Sequence, residues 1–160
     1  MIRRDTPGLR WTSLALAFLV MLLPLPEWLA ALRPFVLAQV MVYWVLETPQ
    51  RMGLGRVFAI GLLLDLATFS LLGEHPLRLL LIAAVVHALR NQFRFYPVWQ
   101  QSLFLLAILY ADLILLWLLR RFQDAPSPSP ETWLAPILAF LLWPWLYMLL
   151  DNLRLRSRSK

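Results

Sequence analysis

Apolar residues run along this chain in six blocks: Trp11–Leu23, Pro34–Leu46, Leu54–Leu72, Leu77–Leu89, Val98–Leu119 and Thr132–Leu150. A helix rises 1.5 Å per residue and needs about 20 residues to cross a hydrocarbon core of about 30 Å. The third, fifth and sixth blocks meet that length. The second and fourth hold 13 residues each as bounded, so they either borrow flanking residues or thin the bilayer locally. The pattern predicts an all-α polytopic membrane protein, a bundle of six transmembrane helices, with five helices plus a re-entrant piece as the alternative. The expected spans cover about 11–29, 34–47, 54–72, 76–90, 98–119 and 132–150, inside a single domain 1–150. A basic tail, 151–160, follows.

Composition sharpens this picture. Of the 160 residues, 61% are hydrophobic and only 15% charged, where soluble domains carry about a quarter. With no cysteine there is no disulfide, thiolate metal site or cysteine nucleophile. His75 and His87 are the only imidazoles, too few for a multi-histidine metal centre, and no cofactor is expected. The formal charge of +6 does not point to nucleic acid, because the basic residues are dispersed between blocks rather than gathered on one face. With the N-terminus in the cytoplasm, eleven of the 15 basic residues fall inside: Arg3, Arg4, Arg10, Arg51, Arg56, Arg90, Arg94, Arg154, Arg156, Arg158 and Lys160. Arg33, Arg78, Arg120 and Arg121 fall outside. The positive-inside rule therefore places both termini in the cytoplasm of an inner membrane. The basic N-terminus and first block resemble a signal peptide, but Pro24-Leu25-Pro26 follow and the chain stays membrane-like, so the block reads as an uncleaved first span.

The linkers are short. Pro126-Ser127-Pro128-Ser129-Pro130 makes the longest of them, Arg120–Glu131, a stiff spacer, and the basic tail is expected near anionic headgroups. Trp11, Trp28, Trp99, Trp117 and Trp133 lie near predicted interfaces, as anchoring indoles do. Two carboxylates fall within spans, Asp65 and Asp112, at about 2.5–3.5 kcal/mol each on insertion scales. Counted from the block ends, both lie about 12 Å below their outer ends and His87 about 15 Å down, which would put the three in one layer. Each aspartate is read first as a buried polar lock, protonated or paired with a hydroxyl, amide or indole of a neighbouring helix. A contact with a partner's membrane helix, and a proton path, are the other two readings. The path lacks a relay, since Gln39 and Thr68 are the only other strongly polar residues well inside the spans.

Small residues four apart, Gly55 and Ala59, Gly61 and Asp65, Ala84 and Ala88, offer close helix approach. Pro144 within Trp143-Pro144-Trp145 frees the carbonyl of Phe140 and should kink the sixth helix. No G-x-x-x-x-G-K-[ST], H-E-x-x-H or G-x-S-x-G occurs, which excludes a nucleotide-driven motor and a soluble-type hydrolase. Tyr110-Ala111-Asp112 is only a near miss for an intramembrane aspartyl protease.

A set of landmarks in this order and spacing resembles the rod shape-determining MreD family of Gram-negative bacteria. They are Arg33-Pro34, Tyr43-Trp44, Pro49, Arg51, Gly53, Gly61 with Leu64-Asp65-Leu66, Leu72-Gly73, Trp99-Gln100-Gln101 and Leu142-Trp143-Pro144-Trp145. The resemblance implies a non-enzymatic subunit of the cell-elongation machinery. Its implied partners are the bitopic MreC, the actin-like MreB, the glycosyltransferase RodA and a class B penicillin-binding transpeptidase. It also implies a distant likeness in fold to the six-helix S-components of energy-coupling-factor transporters.

The expected role is a scaffold that binds an MreC-like partner, with Asp65 and Asp112 as locks. Arg33, Pro34, Trp99, Gln100, Gln101, Trp143, Pro144 and Trp145 would shape its docking surface. The alternative is a vitamin-type carrier, with Gln39, Asp65, His87 and Asp112 lining an outward pocket.

Overall fold

A computed structural model describes residues 7–93 and 95–156, without the side chains of Pro7 and Trp28. Expectations resting on Arg3, Arg4, Arg94, Arg158, Lys160 and the Trp28 indole lie outside the described residues. The described residues form six principal helices and a one-turn piece, with no strand among them. They are α1 (Pro7–Leu22), the short α2 (Glu27–Ala31), α3 (Val36–Glu47), α4 (Leu54–Thr68), α5 (Glu74–Phe93), α6 (Val98–Phe122) and α7 (Ala135–Arg156). A 3₁₀ turn, Pro130–Leu134, leads into α7. Leu29–Glu47, Val98–Phe122 and Pro130–Arg156 combine the length and hydropathy to cross a membrane. The helices run up and down, so that one end of the bundle carries both described termini and the opposite, far end carries the 23–35, 69–73 and 123–134 connections.

The short second block is the centre of the fold. Every residue of α3 from Leu37 to Leu46 is buried, as a helix apolar all round must be, with α1, α5 and α7 packed against it. Its 12 residues rise only about 18 Å, so it is shielded by longer neighbours. The fourth block gains its missing length from both flanks and becomes the 20-residue α5, about 30 Å long. Two helices stop earlier than the blocks suggest. Proline at 24 and 26 leaves α1 to end at Leu22, short of the expected residue 29. At the end of α4, Phe69 turns left-handed (φ 51°), which stops a helix of L-residues.

Of the three small-residue pairs, only Gly61 and Asp65 are buried; both members of the other two are exposed. A Cβ on Gly61 would stand 2.5 Å from the Pro76 Cα, so α4 and α5 touch backbone to backbone there. A Cβ on Gly55 meets nothing within 4 Å. Gly→Ala raises helix propensity equally at both positions, so comparing them isolates the clash. Gly61→Ala should lower the thermal midpoint of the detergent-purified protein, overpacking costing about 1–3 kcal/mol, while Gly55→Ala should not. Equal midpoints would refute the close contact.

Candidate functional site

The polar chemistry of the chain collects at the far end, around the turn from α4 to α5. The first N–H groups of a helix have no partner within it and carry its positive dipole end. At α5 the Asp65 carboxylate, from the last turn of α4, supplies the acceptors. Its Oδ2 accepts from the Gly73 N–H at 2.5 Å, and Oδ1 accepts from the His75 N–H at 3.1 Å. Oδ1 also lies 2.7 Å from the His75 Nδ1 and accepts from the Ser70 hydroxyl at 3.0 Å. The Asp65 side chain is fully buried. Gly73 has φ +102°, a conformation that glycine adopts without strain and that turns its N–H to the carboxylate.

One turn along α5, the Arg78 guanidinium forks onto Asp112 of α6. Its Nε donates to Oδ1 at 2.9 Å and its Nη2 to Oδ2 at 2.7 Å, the bidentate geometry of the strongest charge-assisted pairs. The side chains are 12% and 4% exposed. Glu74 extends the chain of charges, 3.9 Å from Arg78 and 3.5 Å from Arg120. Phe35, just before α3, completes the node: its ring lies under the Arg78 guanidinium at 4.8 Å and edge-on to His75 at 6.2 Å. Four segments are thereby tied at one level. Asp65 meets a hydroxyl, two backbone N–H groups and an imidazole, whereas Asp112 meets a guanidinium, a partner outside the expected hydroxyl, amide and indole.

His87 does not join this layer. Its Nε2 lies 3.2 Å from the Met52 carbonyl, at the termini end. The expected layer came from block ends placed a turn too far out; α4 stops at Thr68, so Asp65 sits in its last turn. The signal for the true partners was present. Glu74 and Pro76 are an acid and a proline in a helix's first turn, and reading them so starts α5 at Glu74 and brings His75 and Arg78 onto it.

The termini end has its own ties. Arg154 of α7 reaches Glu47 at the end of α3 and lies 3.9 Å from Asp151. The Trp44 indole donates to the Ser13 hydroxyl of α1 at 2.8 Å. Gln101 is buried, and its amide donates to the carbonyls of Phe93 and Tyr96 at 3.3 and 3.1 Å, closing the α5–α6 turn. Between the two ends, Gln39 donates to the Ala139 carbonyl at 2.7 Å. That bond joins α3 to α7 one residue before Phe140, whose carbonyl Pro144 leaves free.

The remaining sequence-predicted residues are dispersed. Arg33 donates to the carbonyls of Met21 and Leu23 and so caps α1, while Pro34 and Gln100 are half-buried. The two indoles around Pro144 part company: Trp143 is fully buried and Trp145 is 75% exposed, and Trp99 is 60% exposed. The four residues proposed to line a carrier pocket share no cavity. Gln39 is sealed in the core, Asp65 caps a helix and His87 is at the opposite end. Asp112 borders a crevice of about 280 Å³ that Arg33 and Arg78 also line. A second, apolar groove of about 360 Å³ lies between α5 and α6. No group of three or more metal-ligating side chains occurs among the described residues.

The family model described as rod shape-determining protein MreD matches residues 2–153. The rod shape-determining protein MreD of Haemophilus influenzae is 30% identical over 154 residues, covering 91% of this chain and 93% of the relative. No solved structure matches.

The Arg78–Asp112 pair generates a double-mutant test. Removing one partner strands the other charge in a low-dielectric site, at about 3–5 kcal/mol, whereas replacing both by apolar residues is often neutral. Arg78→Leu and Asp112→Leu should each lower membrane yield and thermal midpoint, and the double variant should recover most of the loss. Additive losses would show that the two side chains act separately.

Proposed function

The chain belongs to the MreD family of rod shape-determining membrane proteins, and from that premise we propose that it is a non-enzymatic inner-membrane scaffold for the single membrane helix of an MreC-like partner. In this role it takes part in coupling an MreB filament in the cytoplasm to RodA and a class B penicillin-binding transpeptidase at the wall. The orientation that goes with it has both termini in the cytoplasm, because six of the ten described basic residues, Arg10, Arg51, Arg56, Arg90, Arg154 and Arg156, belong to the termini end and its connections.

The observation that carries the reading is the groove between α5 and α6. Leu81 and Val85 form one wall, Ala107 and Ala111 the other, and Phe104 and Leu115 lie along it. Trp99, Leu103, Ala107 and Ala111 recur every four residues and are all exposed, so they make one stripe along α6. Lipid removes the hydrophobic advantage of pairing helices, and association then rests on close packing, which small residues allow. A straight apolar groove with an alanine wall suits a helix better than a headgroup or a soluble domain. The interior polar residues are held within the chain itself, so this surface would bind by shape. Of the docking residues read from the sequence, Trp99 belongs to the stripe. Arg33, Gln101 and Trp143 shape the bundle from within, and Trp145 lies on another helix.

Filling the groove tests this. Ala107→Phe with Ala111→Phe should leave the protein in the membrane at normal level yet reduce recovery of the MreC-like protein in mild-detergent pull-downs about tenfold, or about 1.4 kcal/mol. Trp145→Ala should leave recovery unchanged. Full recovery by the doubly filled variant would sink the proposed surface.

A further inference from the structure

The crevice at the far end, about 280 Å³ in volume, shares Asp112 with the α5–α6 groove but is chemically unlike it. Two guanidiniums line it, Arg33 and Arg78, against one carboxylate, Asp112. Asp112 is matched to Arg78 by the bidentate pair, which leaves the charge of Arg33 in excess. No carboxylate pairs with Arg33 among the described residues; its Nη1 and Nη2 are held by the carbonyls of Met21 and Leu23. Its Nε is buried and has no hydrogen-bond partner. Thus a guanidinium is fixed in place by neutral acceptors, with its Nε–H buried and unused and one positive charge uncompensated. A buried donor left unmade costs free energy, and an uncompensated cation beside an apolar wall calls for an anion. The remaining wall is largely hydrocarbon, including Leu113 and Leu116 of α6.

From this arrangement we infer that the crevice is a binding site for a singly charged phosphate ester, with Arg33 as its recognition residue. One net positive charge matches one phosphodiester. The guanidinium fork suits phosphate oxygens, and a volume of about nine liquid waters, at about 30 Å³ each, holds a phosphate and its first carbons. Hydrocarbon attached to the ester would leave along Leu113 and Leu116. The same chemistry can arrive on an anionic phospholipid headgroup or on a soluble phosphate ester.

The source is decided with purified full-length protein in phosphatidylcholine nanodiscs, by adding phosphatidylglycerol to the discs or glycerol phosphate to the buffer. Thermal midpoint and native mass spectrometry are the readouts. Phosphatidylglycerol is expected to raise the midpoint by about 5 °C at a hundredfold excess over its Kd, with one such lipid retained per chain. Arg33→Gln should abolish both effects, Arg33→Lys should keep part of them, and Arg121→Gln, at a surface arginine stacked on Trp117, should keep all. Each variant is compared with itself in plain phosphatidylcholine, so loss of the α1 cap alone does not imitate loss of binding. Ala31→Trp fills the crevice with Arg33 itself unsubstituted and should also abolish retention. Stabilisation by glycerol phosphate alone would assign the site to a soluble ester. No stabilisation by either, or an undiminished response in Arg33→Gln and Ala31→Trp, would overturn the site.

Discussion

The bundle depends on one carboxylate placed where a helix begins. Asp65 answers the unpaired N–H groups at the start of α5, so α5 can begin at once after a tight turn. That in turn sets where Arg78 stands one turn later and which residue of α6 it can reach. If Asp65 lay a turn deeper, as the extent of the apolar block suggested, it would meet neither the α5 N-terminus nor His75. The backbone contact at Gly61, four residues earlier on the same face, holds α4 close enough for the reach. Close approach and polar cap are therefore one device, and a change in either would be felt at the other.

The rest of the polar inventory follows the same economy. Inside a bilayer a lone polar group is costly and a lone charge more so, and the buried carboxylates here are spent on neighbouring elements of the same chain. Asp65 joins α4 to α5, Asp112 joins α6 to α5, and Glu47 joins α3 to α7. The Asp65 and Glu47 ties sit at opposite ends of the bundle, and Gln39 makes a polar tie between them. The amide of Gln39 lies where Pro144 disturbs the hydrogen bonds of α7. A central helix of 12 residues is stable in this setting because a guanidinium stands at each end, Arg78 on Phe35 and Arg154 on Glu47, and helices pack along its sides.

Much of this was legible in the sequence, for identifiable reasons. Six blocks gave six principal helices because block length is set by the bilayer, and Asp65 and Asp112 stood out because they are costly there. What was not legible was pairing. Arg78 reads as a loop charge when α5 is started at the first apolar residue, and His87 is misplaced by the same boundary error. Three of the eight docking candidates chosen by their distinctiveness are engaged inside the bundle: Trp143 fills the core, Gln101 closes a turn and Arg33 caps a helix. A tryptophan's side of a helix depends on phase, and a proline between two indoles separates them by about 200° around the axis, which puts one in the core and the other outside.

The division of labour bears on how such a chain can recognise anything. Once the buried charges are consumed internally, the surface left for a partner within the membrane is apolar, and specificity must come from shape: the width of a groove, the small methyl side chains of Ala107 and Ala111, an indole at its end. Electrostatic choice survives at Arg33, where neutral carbonyls hold a guanidinium without cancelling its charge. The α5–α6 groove and the Arg33 crevice meet at Asp112, which borders both. Through Asp112 and Arg78, a ligand in the crevice and a helix in the groove would press on opposite sides of one ion pair. Any coupling between them would travel through that pair, because it is the one polar contact the two surfaces share.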